Sequence, residues 1–205
     1  PFISMCIDPN WMPFEKNDKG KHIGISADYF KIIEKKLNKP IKLISTDSWT
    51  QTLEYMEKRK CDIISLAMKT PQREKYMDFT NPYITMPLVI ATNIDAPFII
   101  SLNELKDKKI AITKGYALHE LLKSKYPKIN FIEVENIIEG LEKVKTSEVY
   151  GYLDALISVG YEIQKAYIGQ LKITGKFDEK WELSIATRND QIILNTIFNK
   201  IINTI

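Results

Sequence analysis

The chain is short of the residues that most often carry covalent or metal chemistry. Its 205 residues include two cysteines, Cys6 and Cys61, and two histidines, His22 and His119. Neither pair sits in a CxxC or Cys/His spacing that holds zinc, so no metal and no cofactor is expected. Long apolar runs are missing too: the longest, residues 86–91 and 96–100, fall far short of the ~20 residues that span a bilayer. Nor is there an excess of one charge. Twenty-nine Lys and Arg against 26 Asp and Glu leave +3, too weak a field to argue for nucleic acid. The opening Pro-Phe-Ile-Ser-Met-Cys has neither a basic nor an apolar leader region, so a fragment from which any signal peptide or anchor has been removed is expected.

What is present is a foldable core. An apolar share of 44% over this length suits one large domain or two small ones. Strands alternate with helices. Residues 2–7 read as a buried strand. Residues 26–37 read as a helix capped by Ser26, residues 41–44 as a strand, 50–58 as a helix and 61–67 as a third strand. This βαβαβ unit builds a parallel sheet whose strand ends form a ligand crevice. After an extended run at 87–93 the pattern begins again. It gives strands at 109–113, 130–134 and 153–158, helices at 117–125 and 137–145, and a turn of helix at 102–105. A strand at 181–187 and a helix at 192–205, with Ile193, Ile197, Ile201 and Thr204 on one stripe, close the chain. That helix needs a surface to cover, and the first half is its natural partner. Two α/β lobes are expected, residues 1–88 with 186–205 and residues 89–185, joined by two hinge strands.

Few residues point to catalysis. Neither histidine lies in a GxSxG, HExxH or Ser/His/Asp context. His22, in the polar stretch 17–22 read as a β-turn, is expected to be solvated. For His119, in the first turn of a helix, ligand contact and surface exposure both fit. Arg73 is the sharpest residue, since it lies just past the third strand, where ligands collect. Its planar fork can hold a carboxylate bidentately; the alternative is a surface arginine paired with Glu74 or Asp78. Thr113, Gly115 and Tyr116 form a turn into a helix, whose backbone N–H groups suit an anion. Trp11 reads as a cleft wall, while Trp49 either lines the cleft or packs inward to start its helix. Cys6 and Cys61 are read as buried free thiols, with a bridge left open.

Several motifs together resemble the family 3 extracellular solute-binding proteins. They are Asp8-Pro9-Asn10-Trp11-Met12-Pro13-Phe14-Glu15, Gly24-Ile25-Ser26-Ala27-Asp28, Cys61-Asp62-Ile63, and Arg73 through Phe79-Thr80-Asn81-Pro82-Tyr83, with Gly151-Tyr152-Leu153-Asp154-Ala155 and the string from Trp181 to Asp190 in the second half. The last is most similar to periplasmic sensing domains of histidine kinases and diguanylate cyclases. The resemblance implies an α/β periplasmic-binding-protein type 2 fold, a Venus flytrap closing on a small molecule. It also implies an extracytoplasmic place, a membrane-anchored parent receptor and oligomers formed through that parent. An arginine at the Arg73 position would clamp a carboxylate beside the backbone of Met68, with Asp8 and Trp11 lining the first lobe and Tyr116 and Ala117 gripping from the second. The family's ammonium-binding aspartate falls on Val159, so Asp8 or Glu15 compensates or the ligand lacks an ammonium. Asp154 matches a structural aspartate, and Ser158 completes the candidate set. The resemblance leaves three functions: a non-enzymatic sensor domain, a free importer binding protein, and, disfavoured, a dehydratase-like enzyme.

Overall fold

The computed structural model describes residues 2–205. In chain order it contains β1 (Ile3–Cys6), β2 (Asn10–Trp11), β3 (Glu15–Asp18), β4 (Lys21–Ile23), α1 (Ile25–Leu37), β5 (Ile41–Leu43), α2 (Trp49–Glu57), β6 (Ile63–Met68), β7 (Met77–Phe79) and β8 (Ile84–Asn93). Then follow β9 (Lys109–Thr113), α3 (Ala117–Lys125), β10 (Asn130–Val134), α4 (Ile137–Lys145), β11 (Gly151–Ala155), α5 (Leu156–Glu162), β12 (Leu171–Arg188) and α6 (Ile192–Ile202). Two compact units divide them: residues 2–85 with Glu182–Ile205, and Met86–Trp181. The chain passes from one unit to the other inside β8 and returns inside β12.

In the first unit β1 lies between β5 and β6 and runs parallel to both, while β12 pairs antiparallel with β6 and with β7. Helix α1 buries Phe30 and Ile33 against Met5, Ile7 and Ile63. Phe198 and Ile202 of α6 join the same core, so the last helix does cover the first half. Its buried stripe is the expected one only in part: Ile201 packs against this core, but Ile193 is 77% and Ile197 38% exposed, and the ring of Phe198, fully buried, fills the core in their place.

In the second unit β9 runs parallel between β10 and β11, and β8 is antiparallel to β11. Helix α4 buries Ile137, Leu141 and Val144 on this sheet, with Tyr152, Val159 and Leu171. Gly140 is required where α4 crosses β11, because a Cβ there would meet the Tyr152 ring at 2.3 Å.

Local structure corrects the sequence reading at three more places and agrees with the turn expected at 17–22. Helix α1 is capped by Gly24 and not by Ser26: Gly24 has φ +107°, and a Cβ would sit 2.5 Å from the Phe14 carbonyl. Ser26 lies inside the helix, and its N–H donates to that carbonyl at 2.9 Å. Residues 17–22 form a hairpin between β3 and β4, turning at Lys19 and Gly20, both at positive φ. The expected strand 153–158 ends at Ala155, and Ser158 belongs to α5. The expected strand 181–187 is the second half of an 18-residue strand.

Cys6 and Cys61 are joined in a disulfide, contrary to the free-thiol reading, with Cα atoms 5.9 Å apart. Both are fully buried. The Asp62 carboxylate receives the Ser4 N–H at 2.8 Å and the Ser4 hydroxyl at 2.7 Å, fixing the bend that brings Cys61 against β1. Strand register supplies that proximity, and a sequence does not display it.

Candidate functional site

The candidate residues fall into two sets, one in each unit. In the first unit, Arg73 opens a short 3-10 turn, Arg73–Lys75, after β6. Thr70 builds the turn: its hydroxyl accepts the Arg73 N–H at 3.3 Å and its carbonyl accepts the Glu74 N–H at 3.0 Å. The Arg73 side chain is turned inward and is only 3% exposed. Nη1 donates to the Met68 carbonyl at 2.7 Å, and the guanidinium lies over the Trp49 ring, 5.3 Å from its centroid. Trp49 is the first residue of α2, whose N-cap Ser48 accepts the Gln51 N–H at 3.2 Å. The alternative of a surface arginine paired with Glu74 or Asp78 does not fit a side chain this buried. A buried guanidinium needs charge or hydrogen-bond partners to offset its lost hydration, and its stack on an indole face is a cation–π geometry.

Asp8, Trp11 and Glu15 surround the chain leaving β1. Asp8 caps its own loop, with Oδ1 accepting the Asn10 N–H at 3.0 Å. Trp11 is in β2, 3% exposed, and packs on Phe14 with centroids 4.8 Å apart. Glu15 is fully buried: Oε1 accepts the Asp8 N–H at 2.8 Å and Oε2 accepts the Ser65 hydroxyl. Both oxygens are therefore engaged within the first unit. His22, expected in solvent, has its Nε2 3.5 Å from the same Oε2 and only 10% of its side chain exposed.

In the second unit, Thr113 ends β9 and Gly115 turns at φ +75°, a left-handed conformation that favours glycine. The Tyr116 N–H donates to the Thr113 carbonyl at 3.2 Å, and the His119 N–H to the Tyr116 carbonyl at 3.0 Å. Tyr116 is the N-cap of α3, Ala117 its first residue, and the Tyr116 ring meets Trp181 edge-on at 5.2 Å. A buried chain supports this turn. The Thr113 hydroxyl is 2.8 Å from the Tyr152 hydroxyl, which donates to Asp154 Oδ2 at 2.5 Å, while Asp154 Oδ1 accepts the Ala155 N–H at 2.6 Å. Ser158 is fully buried on α5.

His119 is not on the surface. It is 8% exposed, with Nδ1 3.3 Å from Glu133 Oε1 and its ring edge-on to Phe131. Burial, assisted by Lys123, lowers its pKa below the ordinary value, while Glu133 and Glu120 oppose the shift. Sequence reasoning missed Ser65 and Tyr152. Tyr152 was within reach, because it lies two residues before Asp154 and therefore on the same strand face. Among the described residues no cluster of three or more His, Cys, Asp or Glu could hold a metal, and no helix is long and apolar enough to cross a membrane.

The family model of the bacterial extracellular solute-binding proteins, family 3, matches residues 3–205. The chain belongs to that family. Membership agrees with the extracytoplasmic placement that the resemblance implies, and the family and fold are those of solute-binding and sensor domains. Among its relatives is the virulence sensor protein BvgS of Bordetella pertussis, 23% identical over 183 residues, covering 89% of this chain. The chain spans only 15% of that protein's length. The arginine-binding extracellular protein ArtP of Bacillus subtilis is 24% identical over 202 residues, 97% of this chain and 78% of ArtP. In fold, the chain superimposes on the crystal structure of the periplasmic VFT2 domain of Bordetella pertussis BvgS with a TM-score of 0.90 and 22% identity, covering 100% of this chain and 88% of that one.

Proposed function

We propose that this chain is the extracytoplasmic ligand-sensing domain of a bacterial membrane signalling receptor, taking up an amino acid or another small carboxylate. The observation that carries the reading is Arg73. Its guanidinium is withdrawn from bulk solvent just past the end of a parallel strand, anchored through Nη1 to the Met68 carbonyl and stacked on Trp49. A planar five-donor cation held in this way is pre-organised for a carboxylate. Asp8, Trp11, Trp49 and Met68 are its companions in the first unit. In the second, the Thr113–Gly115–Tyr116–Ala117 turn, braced through Tyr152 by Asp154, offers the start of a helix, where backbone donors and the dipole suit negative charge. His119 and Ser158 complete that set. The likeness to BvgS, a sensor protein, supports the signalling half of the reading.

Thermal shift in the presence of the common amino acids, succinate and malate tests it. A ligand at about 100 times its Kd stabilises by about 2.7 kcal/mol, or about 5–11 °C for a chain of this size. Replacing Arg73 by Ala removes a charged hydrogen bond worth about 1.5–3 kcal/mol, so binding of the best hit weakens about 10- to 150-fold. R73K keeps the charge but not the fork and recovers only part of the loss. Equal affinity in R73A would refute the clamp. The bound compound is expected back unchanged by mass spectrometry; turnover would revive an enzymatic reading. A second reading, a free importer binding protein, is favoured by the coverage of ArtP; the native gene beyond Ile205 distinguishes the two.

A further inference from the structure

Glu15 is a carboxylate fully withdrawn from solvent, and three separate segments converge on it. Oε1 takes the backbone N–H of Asp8 at 2.8 Å. Oε2 takes the hydroxyl of Ser65, from the middle of β6, and lies 3.5 Å from His22 Nε2 on β4. That nitrogen is itself buried and makes no hydrogen bond within the described residues. Asp8 passes its position on, since its Oδ1 accepts the Asn10 N–H and Asn10 is followed by Trp11. Any change in how Glu15 divides itself between its donors is therefore felt by the segment proposed to line the ligand site.

We propose that Glu15 and His22 form a proton-linked latch on the Asp8–Trp11 segment, Glu15 acting as a positioning residue and His22 as the group that adjusts it. Histidine is the side chain that ordinarily changes charge between pH 5 and 8. A proton on His22 places a full positive charge 3.5 Å from Oε2. It draws the carboxylate toward β4 and alters the hydrogen bond that Oε1 makes to Asp8. The ring has a path to water, for it lines a cavity of about 240 Å³ with Gly20, Lys31 and Glu34 at its edge.

The other groups around the pair do not mask this coupling. From α1, Phe30 packs on the imidazole with centroids 6.1 Å apart, and Lys31 and Glu34 contribute opposite formal charges to the cavity. Across the hairpin the residue opposite His22 is Asn17, which is uncharged. β1 and β5 contribute Met5, Ile41 and Leu43. Glu15 also acts on Tyr83, a buried phenol whose pKa is raised first by burial and then by the charge of Glu15, and whose hydroxyl donates to the Ser65 carbonyl at 2.8 Å.

The inference rests on the reading of Asp8 and Trp11 as ligand groups, yet its test needs no ligand. Nitrogen-15-labelled protein is titrated from pH 5.5 to 8, following the His22 ring and the Asp8 backbone amide by NMR. The expected result is a single shared midpoint in the wild type, and loss of the Asp8 step in H22Q. In E15Q the His22 ring still titrates while Asp8 no longer follows it. If E15Q fails to fold, H22Q decides alone. An Asp8 amide that stays flat while His22 titrates, a step that survives in H22Q, or a His22 ring that does not titrate in this window overturns the latch. Failure of every tested carboxylate to bind would sink the ligand reading and leave this result untouched.

Discussion

Opening the Cys6–Cys61 disulfide is expected to destabilise the first unit by up to about 4 kcal/mol. The two cysteines are 55 residues apart in sequence, and closing a loop of that length removes about 14 cal/mol/K of entropy from the unfolded chain, or about 4 kcal/mol at 25 °C. Both sulfurs are fully buried, so alanine replacements avoid burying new polar atoms, and reduction of the native protein isolates the cross-link itself. Trp11 and Trp49 lie in the first unit and Trp181 ends the second, so a W181F background confines the fluorescence to the first. With a urea dependence near 2 kcal/mol/M, the midpoint falls by about 2 M on reduction. An unchanged midpoint, or two titratable thiols in unreduced, denatured protein, would refute the bridge. More than stability is at stake. Cys6 ends β1 two residues before Asp8, and Cys61 leads into β6, whose other end leads to Arg73. The bond thus ties together the two strands that carry the first unit's candidate ligand groups, and such bonds persist in the oxidising compartments where this family works.

Two further outcomes follow from the second unit. Tyr152→Phe removes the hydroxyl that links Thr113 to Asp154; losing a buried hydrogen bond to a charged group costs about 1.5–3 kcal/mol. Urea unfolding followed by Trp181 emission measures it, and a loss under about 0.5 kcal/mol would contradict the assignment. The second outcome concerns His119, whose folded pKa is lowered from 6.5, chiefly by burial. Between the folded value and 6.5 the unfolded chain holds more protons, so this group makes stability rise with pH through that window and level off above it. Urea midpoints between pH 5 and 7.5 report the slope, and H119Q should flatten it; identical slopes in both proteins would show that the imidazole titrates alike folded and unfolded.

What could be read from the sequence depended on how local its cause was. β9, α3, β10 and α4 were legible to the residue, because each has a strong period closed by its own turn or cap, as where Asn136 accepts the Glu139 N–H. The position of Arg73 after β6 was legible as well, since strand, turn and arginine are contiguous. Features set by tertiary packing were not. The α1 cap is decided by the approach of the Phe14 carbonyl to Gly24, and Ser26 is a good cap by propensity that is overruled by that contact. On α6 Ile193 and Ile197 are exposed, and Phe198 reaches the core instead.

The polar residues make the same point with more consequence for function. Glu15 follows Pro13 and Phe14 and precedes Lys16, Asn17 and Asp18, a setting that carries no sign of its burial. Its partners are Asp8, seven residues back, and Ser65, 50 residues on. The first is a reach across the β2–β3 pairing, and the second exists only because β6 lies beside β1. Thr113 and Asp154 likewise meet only through Tyr152, because β9 and β11 are neighbours in the sheet. The family resemblance offered Glu15 as one possible ammonium partner and matched Asp154 to a structural aspartate. For Glu15 the structure adds a second role, since its carboxylate is fully buried and shared between a backbone N–H and a hydroxyl. On the latch proposed above, its influence passes through the position of Asp8, so substitutions at Glu15 and at Arg73 should differ in kind. Loss of the Arg73 fork weakens the carboxylate directly at every pH, whereas neutralising Glu15 removes the dependence of the Asp8 segment on the charge of His22.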